Sequence, residues 1–365
     1  MFDLAKSLVI DLLLMSEGSG PVAIVTGSST GIGYHTALRL ALRGYTVVIA
    51  TRNTISGAQA VERINKAVHS ASLNENKGFL DGGNVHKGGA VFRHLDLSSL
   101  ASVRTFSEGL PATLSERLHA LVLNAGIAGF GIRREDRITC DDLELIFATN
   151  FVGHFYLVQL LLESLKLTAS RAFVGAPPVR IVTLSSVTHR LVPSTAIDWN
   201  AVLTGRVRGY AYQYSKLAAL LFAGELQRQL LGTGVSAVAV NPGAVNSEIW
   251  RNLPVPSFVA CYTVPVLRCF GLTPAQGCET SVVATTADEV GGVRLDSPGT
   301  TVYLSPYASP GWAQRLGGVL ATLFDTLGPF RGAQVMAPTA QSLDPDVARA
   351  LFVACETAIA RKMGL

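Results

Sequence analysis

Residues 22–33 read Val-Ala-Ile-Val-Thr-Gly-Ser-Ser-Thr-Gly-Ile-Gly. Val22 to Val25 are apolar without a break, the signal of a short buried strand. The residues that follow, Ala37, Leu38, Leu40, Ala41 and Leu42, form the apolar side of a helix that Gly44 stops. The glycine-rich segment is therefore a turn from strand to helix. Gly27, Gly31 and Gly33, with Ser29, Thr30 and Ile32 among them, leave the backbone free of side-chain bulk where a pyrophosphate would approach. Free amides at the helix start favour that anion. Three glycines alone also fit an ordinary turn, and it is the strand before and the helix after that select dinucleotide binding.

Outward from this turn the same alternation repeats. Val47 to Ala50 is a second strand, 55–68 a helix, 91–95 a strand, 99–112 a helix and 119–123 a strand. A long helix near 141–166, a strand at 180–184, a helix at 210–231 and a strand at 235–240 follow. Strands alternating with helices of this length call for a parallel sheet covered on both faces. The expected fold is α/β, a Rossmann-type doubly wound parallel sheet in three layers, α/β/α, whose ligands bind beyond the carboxyl ends of the strands.

The expected organisation is an N-terminal helical segment over 1–20, a catalytic domain over 21–304 and a helical extension over 305–365. Residues 69–89, rich in Gly, Asn and Ser, read as a surface insertion. Residues 248–290 read as a substrate lid, with three prolines and many apolar side chains between 253 and 270. A helix at 274–288 and a short strand at 301–304 finish the sheet, and the tail has helical patterns near 311–327 and 345–361.

Apolar residues make up 48% of the chain and charged ones 15%, enough for a large core and too little charge for a disordered chain. The net charge of +4 is spread without a Lys/Arg run, which argues against nucleic acid as a partner. Five cysteines without CxxC spacing and histidines without an HExxH pattern give no disulfide framework and no metal site. The apolar stretch Leu8 to Met15 is too short to span a bilayer and is broken by Asp11. It reads as a helix packed on the body or as an interfacial membrane contact, without a clear signal peptide. The expected location is cytoplasmic or peripherally membrane-associated.

At the end of the second strand stands Thr51-Arg52-Asn53, without the acid that would accept a ribose hydroxyl. Arg52 offers a charged fork to a 2′-phosphate, so NADP(H) is the expected cofactor over NAD(H). Asp96, in Leu95-Asp-Leu97-Ser, either accepts from the adenine amino group or caps the next helix, a role Ser98 fits as well. Asn124, Ala125 and Gly126 end the fourth strand with small groups beside the adenosine.

Tyr212 and Lys216 lie four residues apart, on one helical face. An ammonium and a positively charged nicotinamide would favour phenolate and so fit Tyr212 for proton transfer. Ser186 closes its strand and can donate to a substrate oxygen, with Ser185 pointing the opposite way. Asn150 is an indifferent helix former inside a helical pattern, which hints at a function such as holding a water on a proton path to Lys216. Pro242 and Gly243 turn the chain after the sixth strand, where the Val245 backbone and the Ser247 hydroxyl face the expected carboxamide.

The pieces TGSSTGIG (26–33), DLSS (96–99), LNAG (123–126), ATN (148–150), VTLSS (182–186), YQYSK (212–216) and NPGAVNS (241–247) together resemble the classical short-chain dehydrogenase/reductase family. The resemblance covers roughly 20–250 and implies that Asn150, Ser186, Tyr212 and Lys216 are a catalytic tetrad. Ser186 and Tyr212 stand 26 positions apart, about twice the family's usual spacing. The added loop, His189 to Arg208, is similar to that of the retinol dehydrogenase-like branch, as are Ala50-Thr-Arg-Asn53 and Asn246-Ser-Glu-Ile249. That branch implies a bulky apolar carbonyl or alcohol substrate, retinoid-, steroid- or lipid-like, often handled at membranes. Relatives also imply a homodimer packed through the helices near 141–166 and 210–231. The rival reading is a noncatalytic nucleotide-binding or scaffold protein on the same fold.

Overall fold

The computed structural model describes residues 20–75, 88–129, 132–192, 196–207, 209–246, 271–297, 301–307 and 330–364. Eight strands make one sheet: β1 Val22–Thr26, β2 Thr46–Thr51, β3 Gly89–His94, β4 Leu118–Leu123, β5 Val179–Leu184, β6 Val235–Val240, β9 Val302–Tyr307 and β10 Phe330–Val335. A separate hairpin pairs β7 Glu289–Val290 with β8 Val293–Arg294. The order in the large sheet is β10-β9-β6-β5-β4-β1-β2-β3. All pairs are parallel except β9 with β10. The chain thus winds one way from β1 through β3 and the other way from β4 through β6. The crevice where the order reverses, between β1 and β4, is where such sheets bind ligands.

Successive residues of β1 bury into opposite layers. Val22 and Ile24 join a core with α3 Leu100–Glu108, α6 Gly153–Ser170, α8 Ala211–Gln229 and α11 Pro345–Met363. Ala23 and Val25 join another with α1 Gly31–Leu42, α2 Thr54–Glu75 and α10 Glu279–Thr286. Burial on both faces is why the strands read as unbroken apolar runs rather than alternating ones. Short helices α4 Ala112–Ser115, α5 Leu145–Phe147, α7 Trp199–Leu203 and α9 Pro274–Gly277 complete the set.

Several elements differ from the sequence reading. Helix α2 runs on to Glu75, so the first part of the expected 69–89 insertion is helical, and 76–87 lie outside the described residues. Within the expected lid, 248–270 lie outside the described residues. Helix α10 packs on the sheet, with Thr280, Ser281, Val282, Ala284 and Thr285 buried, and α9 packs on α1. The expected helical tail contributes β10 to the main sheet, while the pattern at 311–327 and the N-terminal segment 1–19 are not among the described residues. Leu145–Ser170 is long and apolar enough to cross a membrane, but 67% of its apolar window is buried in the protein, which makes it a core helix.

The helix expected over 141–166 starts at Leu145 and is interrupted by a π-turn, Ala148–Val152, in which the Gly153 amide bonds to the Ala148 carbonyl. Its outer neighbour α8 is buried along most of its length. Helix α11 lies on α8, with the Phe352 ring 5.4 Å from Phe222 and 5.1 Å from Phe155, centroid to centroid. Helix α11 thus covers part of α8, one of the two helices through which relatives imply homodimer packing.

Candidate active site

A cavity of about 610 Å³ opens beyond the carboxyl ends of β1 through β6. Its floor at one end is the turn from β1 into α1. Gly27, at φ +63°, approaches the next loop so closely that a Cβ would stand 2.8 Å from the Ala125 Cα. A Cβ on Gly33 would stand 2.4 Å from the Asn124 Nδ2. That amide donates to the carbonyls of Thr26 at 2.8 Å and Gly27 at 3.3 Å. Asn124 therefore ties the end of β4 to the glycine turn.

Helix α1 begins without a side-chain cap at Thr30 and without an acid in its first turn. Its first amides face the cavity wall formed by Thr30, Gly31, Ile32 and Gly33. An uncapped N-terminus of a twelve-residue helix has unsatisfied N–H groups and a partial positive charge, which fits a pyrophosphate. Arg52 lines the same end. Asp96 does not cap α3: its Oδ1 accepts from the Ser98 amide at 3.0 Å and hydroxyl at 2.6 Å, while Ser99 is the cap. Asp96 and Leu97 line the cavity. Asn53 and Ser29 do not: Asn53 Oδ1 accepts from the Ser56 amide at the start of α2, and the Ser29 hydroxyl lies 3.5 Å from that of Thr51.

At the other end, Ser186, Tyr212 and Lys216 line the cavity together. The Ser186 and Tyr212 side chains are hydrogen-bonded, and burial pushes the phenol up to about 12 against the opposing effect of that bond. Burial brings Lys216 down to about 8. Its Nζ donates to the Leu184 carbonyl at 3.0 Å and lies 5.5 Å from the centroid of the Tyr212 ring. Desolvation is the larger influence on the phenol, and Ser186 is the group that opposes it. Ser185 points away, its hydroxyl donating to the Lys216 carbonyl at 2.7 Å.

Asn150 is buried behind this end and does not line the cavity. Its Oδ1 accepts from the Ile127 amide at 2.8 Å, and its Nδ2 donates to the Ile127 carbonyl at 2.9 Å and the Ser215 hydroxyl at 3.0 Å. The Asn150 amide clasps the loop after β4 and braces α8. Pro242, Gly243 and Val245 line the third side. That loop is set by Asn241 Oδ1, which accepts from the Gly243 amide at 3.1 Å, and by backbone bonds between 244–246 and Leu272. Ser247 lies outside the described residues.

The sequence reading missed the apolar wall, Ile127, Ala128, Ile132 and Leu145, together with Thr149. It also missed His154, buried one turn beyond Asn150. An i, i+4 polar pair inside an otherwise apolar helix was the available signal.

A doubly wound sheet whose glycine turn, uncapped helix and Ser-Tyr-Lys cluster face one crevice defines an oxidoreductase of the short chain dehydrogenase class. The chain belongs to that family, whose model, described as short chain dehydrogenase, matches residues 21–255. The similarity extends to its retinol dehydrogenase-like members. Retinol dehydrogenase 12 of Mus musculus is 36% identical over 274 residues, covering 74% of this chain and 75% of that protein. Polyprenol dehydrogenase of Danio rerio is 36% identical over 289 residues, covering 76% and 78%. Among solved structures, a protein of Mycobacterium paratuberculosis matches with a TM-score of 0.59 at 26% identity over 94% of each chain. RhlG of Pseudomonas aeruginosa, in complex with NADP, shares the fold with a TM-score of 0.55 at 24% identity over 78% of this chain and 94% of its own.

Proposed function

We propose that the protein is an NADP(H)-dependent oxidoreductase acting on the carbonyl or alcohol carbon of a bulky apolar substrate, retinoid-, steroid- or lipid-like. The observation that carries this reading is the placement of the Ser186–Tyr212 pair and Lys216 at one end of a cavity. The other end of that cavity is the uncapped start of α1 beside Arg52. The wall of Ile127, Ala128, Ile132 and Leu145 suits an apolar substrate, and the relatives named above carry the names of two apolar alcohols, retinol and polyprenol.

NADP(H), when bound, supplies or takes up the hydride. The α1 amides hold its pyrophosphate, Arg52 its 2′-phosphate and Asp96 its adenine amino group. The Val245 backbone and Ser247 hold the carboxamide. In reduction, Tyr212 passes its proton to the substrate oxygen while Ser186 donates a hydrogen bond to the same atom. In oxidation, Tyr212 takes the proton back. Lys216, fixed by the Leu184 carbonyl, keeps a positive charge beneath the ring that favours phenolate.

The test is a panel of retinoid, steroid and long-chain aldehydes, ketones and alcohols, assayed with NADPH or NADP⁺ by nicotinamide absorbance. Turnover that is lost on replacing Tyr212 by Phe supports the reading. Tight NADPH binding with no turnover anywhere in the panel favours the noncatalytic rival.

A further inference from the structure

Behind the cavity, hydrogen bonds tie the loop after β4 to the end of β1 and to the Asn150 turn through residues that do not touch it. His154 on α6 is 3% exposed, and Thr26, the last residue of β1, is fully buried. The His154 Nδ1 lies 3.0 Å from the Asn150 carbonyl, which can only accept, so Nδ1 carries the proton. Burial holds the ring near 4, with the charge of Lys216 pushing the same way, so the imidazole is neutral and its Nε2 is bare. The Thr26 hydroxyl, 2.8 Å away, donates to Nε2 in preference to the Val122 carbonyl, which lies at 3.4 Å. The same hydroxyl oxygen accepts from the Ala125 amide at 3.0 Å.

Every donor thus points one way: Ala125 N–H to Thr26, Thr26 O–H to His154, His154 N–H to Asn150. Ala125 sits against Gly27 in the cofactor-side wall. Asn150 clasps Ile127, two residues further along the same loop, and braces Ser215 on the helix of Tyr212 and Lys216. Neither Thr26 nor His154 lines the cavity.

We propose that His154, neutral and protonated on Nδ1, is a positioning residue that fixes the loop Ala125–Ile127 between the end of β1 and the Asn150 turn, so that dinucleotide affinity depends on a side chain that never meets the dinucleotide. The inference rests on the functional reading above for the identity of the ligand. A ring that accepts at one nitrogen and donates at the other keeps the chain intact. An aromatic hydrocarbon of similar size leaves the Thr26 hydroxyl only the more distant Val122 carbonyl and takes from the Asn150 carbonyl its imidazole donor, which breaks the chain at both ends.

The test uses the full-length protein with NADPH as probe, read by nicotinamide fluorescence, beside circular dichroism to show that each variant is folded. His154→Phe raises the NADPH dissociation constant about tenfold and His154→Gln, which still accepts from Thr26, about threefold or less. In a double-mutant cycle, Thr26→Val added to His154→Phe brings little further loss, because both cut one chain. Nitrogen-15 spectra of the unmodified protein at neutral pH show a neutral ring protonated on Nδ1, a readout that does not depend on any variant folding. An Nε2-protonated ring or an imidazolium overturns the proposal. So do folded variants that bind NADPH like the parent, a Gln variant as weak as the Phe variant, or additive losses in the cycle. Failure of the parent protein to bind NADPH would instead sink the functional reading itself.

Discussion

The Lys216 ammonium nitrogen stands 5.5 Å from the centroid of the Tyr212 ring, and it is anchored there by the carbonyl of Leu184 rather than by any carboxylate. A cation over the ring face interacts with the aromatic quadrupole as well as with charge on the phenol oxygen. Burial works against both groups, bringing Lys216 to about 8 and Tyr212 to about 12. For a base lowered on folding, the unfolded chain binds more protons between the two pKa values, so stability rises with pH across that window. For Lys216 the window runs from about 8 to 10.5. It corresponds to about 3 kcal/mol, fully present above 10.5 and lost as pH falls to 8. Urea midpoints of the parent and of Lys216→Met, followed from neutral to alkaline pH, check this. The parent curve climbs and the variant curve is flatter, whereas parallel curves contradict the assignment.

Tyr212→Phe removes the proton donor but keeps the ring. Loss of a positioned general acid lowers kcat by about a hundredfold to ten-thousandfold. NADPH affinity stays within about twofold, since the ring packing survives. Stopped-flow turnover and fluorescence titration separate the two quantities. A Phe variant that turns over normally removes Tyr212 from the chemistry.

Arg52→Ala takes away the fork at the end of β2. A lost charge-assisted hydrogen bond is worth about 1.5–3 kcal/mol, or ten- to a hundredfold in affinity for NADPH. NADH, without the 2′-phosphate, is scarcely affected. Equal weakening of both dinucleotides, measured by isothermal titration, leaves the arginine without a phosphate role.

Two buried imidazoles make the protein acid-sensitive. Burial holds His154 and His189 near 4. Each is a base lowered on folding, so its contribution is complete above 6.5 and is lost as pH falls through that value toward 4. The difference amounts to about 3 kcal/mol for each ring. Thermal denaturation in matched buffers shows Tm falling as pH drops over that range, and the fall is shallower in His189→Gln. A Tm independent of pH there means that the rings are not desolvated.

Phe352 meets Phe155 and Phe222 across the junction of α11, α6 and α8. Phe352→Ala costs about 3–5 kcal/mol, the range for deleting a buried aromatic ring. Loosening α11 also uncovers the outer face of α8, so sedimentation velocity shows faster-sedimenting species in the variant. If the variant remains as stable and as compact as the parent, the packing of α11 matters less than its contacts indicate.

The central strands were legible because burial on both faces writes itself into sequence as runs such as Val47-Val-Ile-Ala50. Strand β10 was not. It reads Phe-Arg-Gly-Ala-Gln-Val and pairs with one neighbour through a register shift, so no period or apolar run marks it. The extension of α2 through Ser70, Ser72 and Asn74 was hidden by residues that favour turns as readily as helices. At the site, the Tyr212–Lys216 spacing and the glycine turn were readable because local backbone geometry dictates them. The conflict at Asn150 was visible too, but its resolution as a π-turn clasping Ile127 needed a loop distant in sequence. Asn53 looked like a cofactor contact by position alone, whereas its amide oxygen is taken up by the α2 amide of Ser56. The extent of burial around Tyr212 and Lys216 was beyond reach, because desolvation is a property of the packed molecule.

Helix α8, which carries Tyr212 and Lys216, is sheathed along most of its length by the same polypeptide, and its last cladding is drawn from the final twenty residues of the chain. A frameshift or clipped tail that spares every reacting group would unseat that cladding, and would surface in an assay as a sick enzyme whose chemistry looks intact on paper.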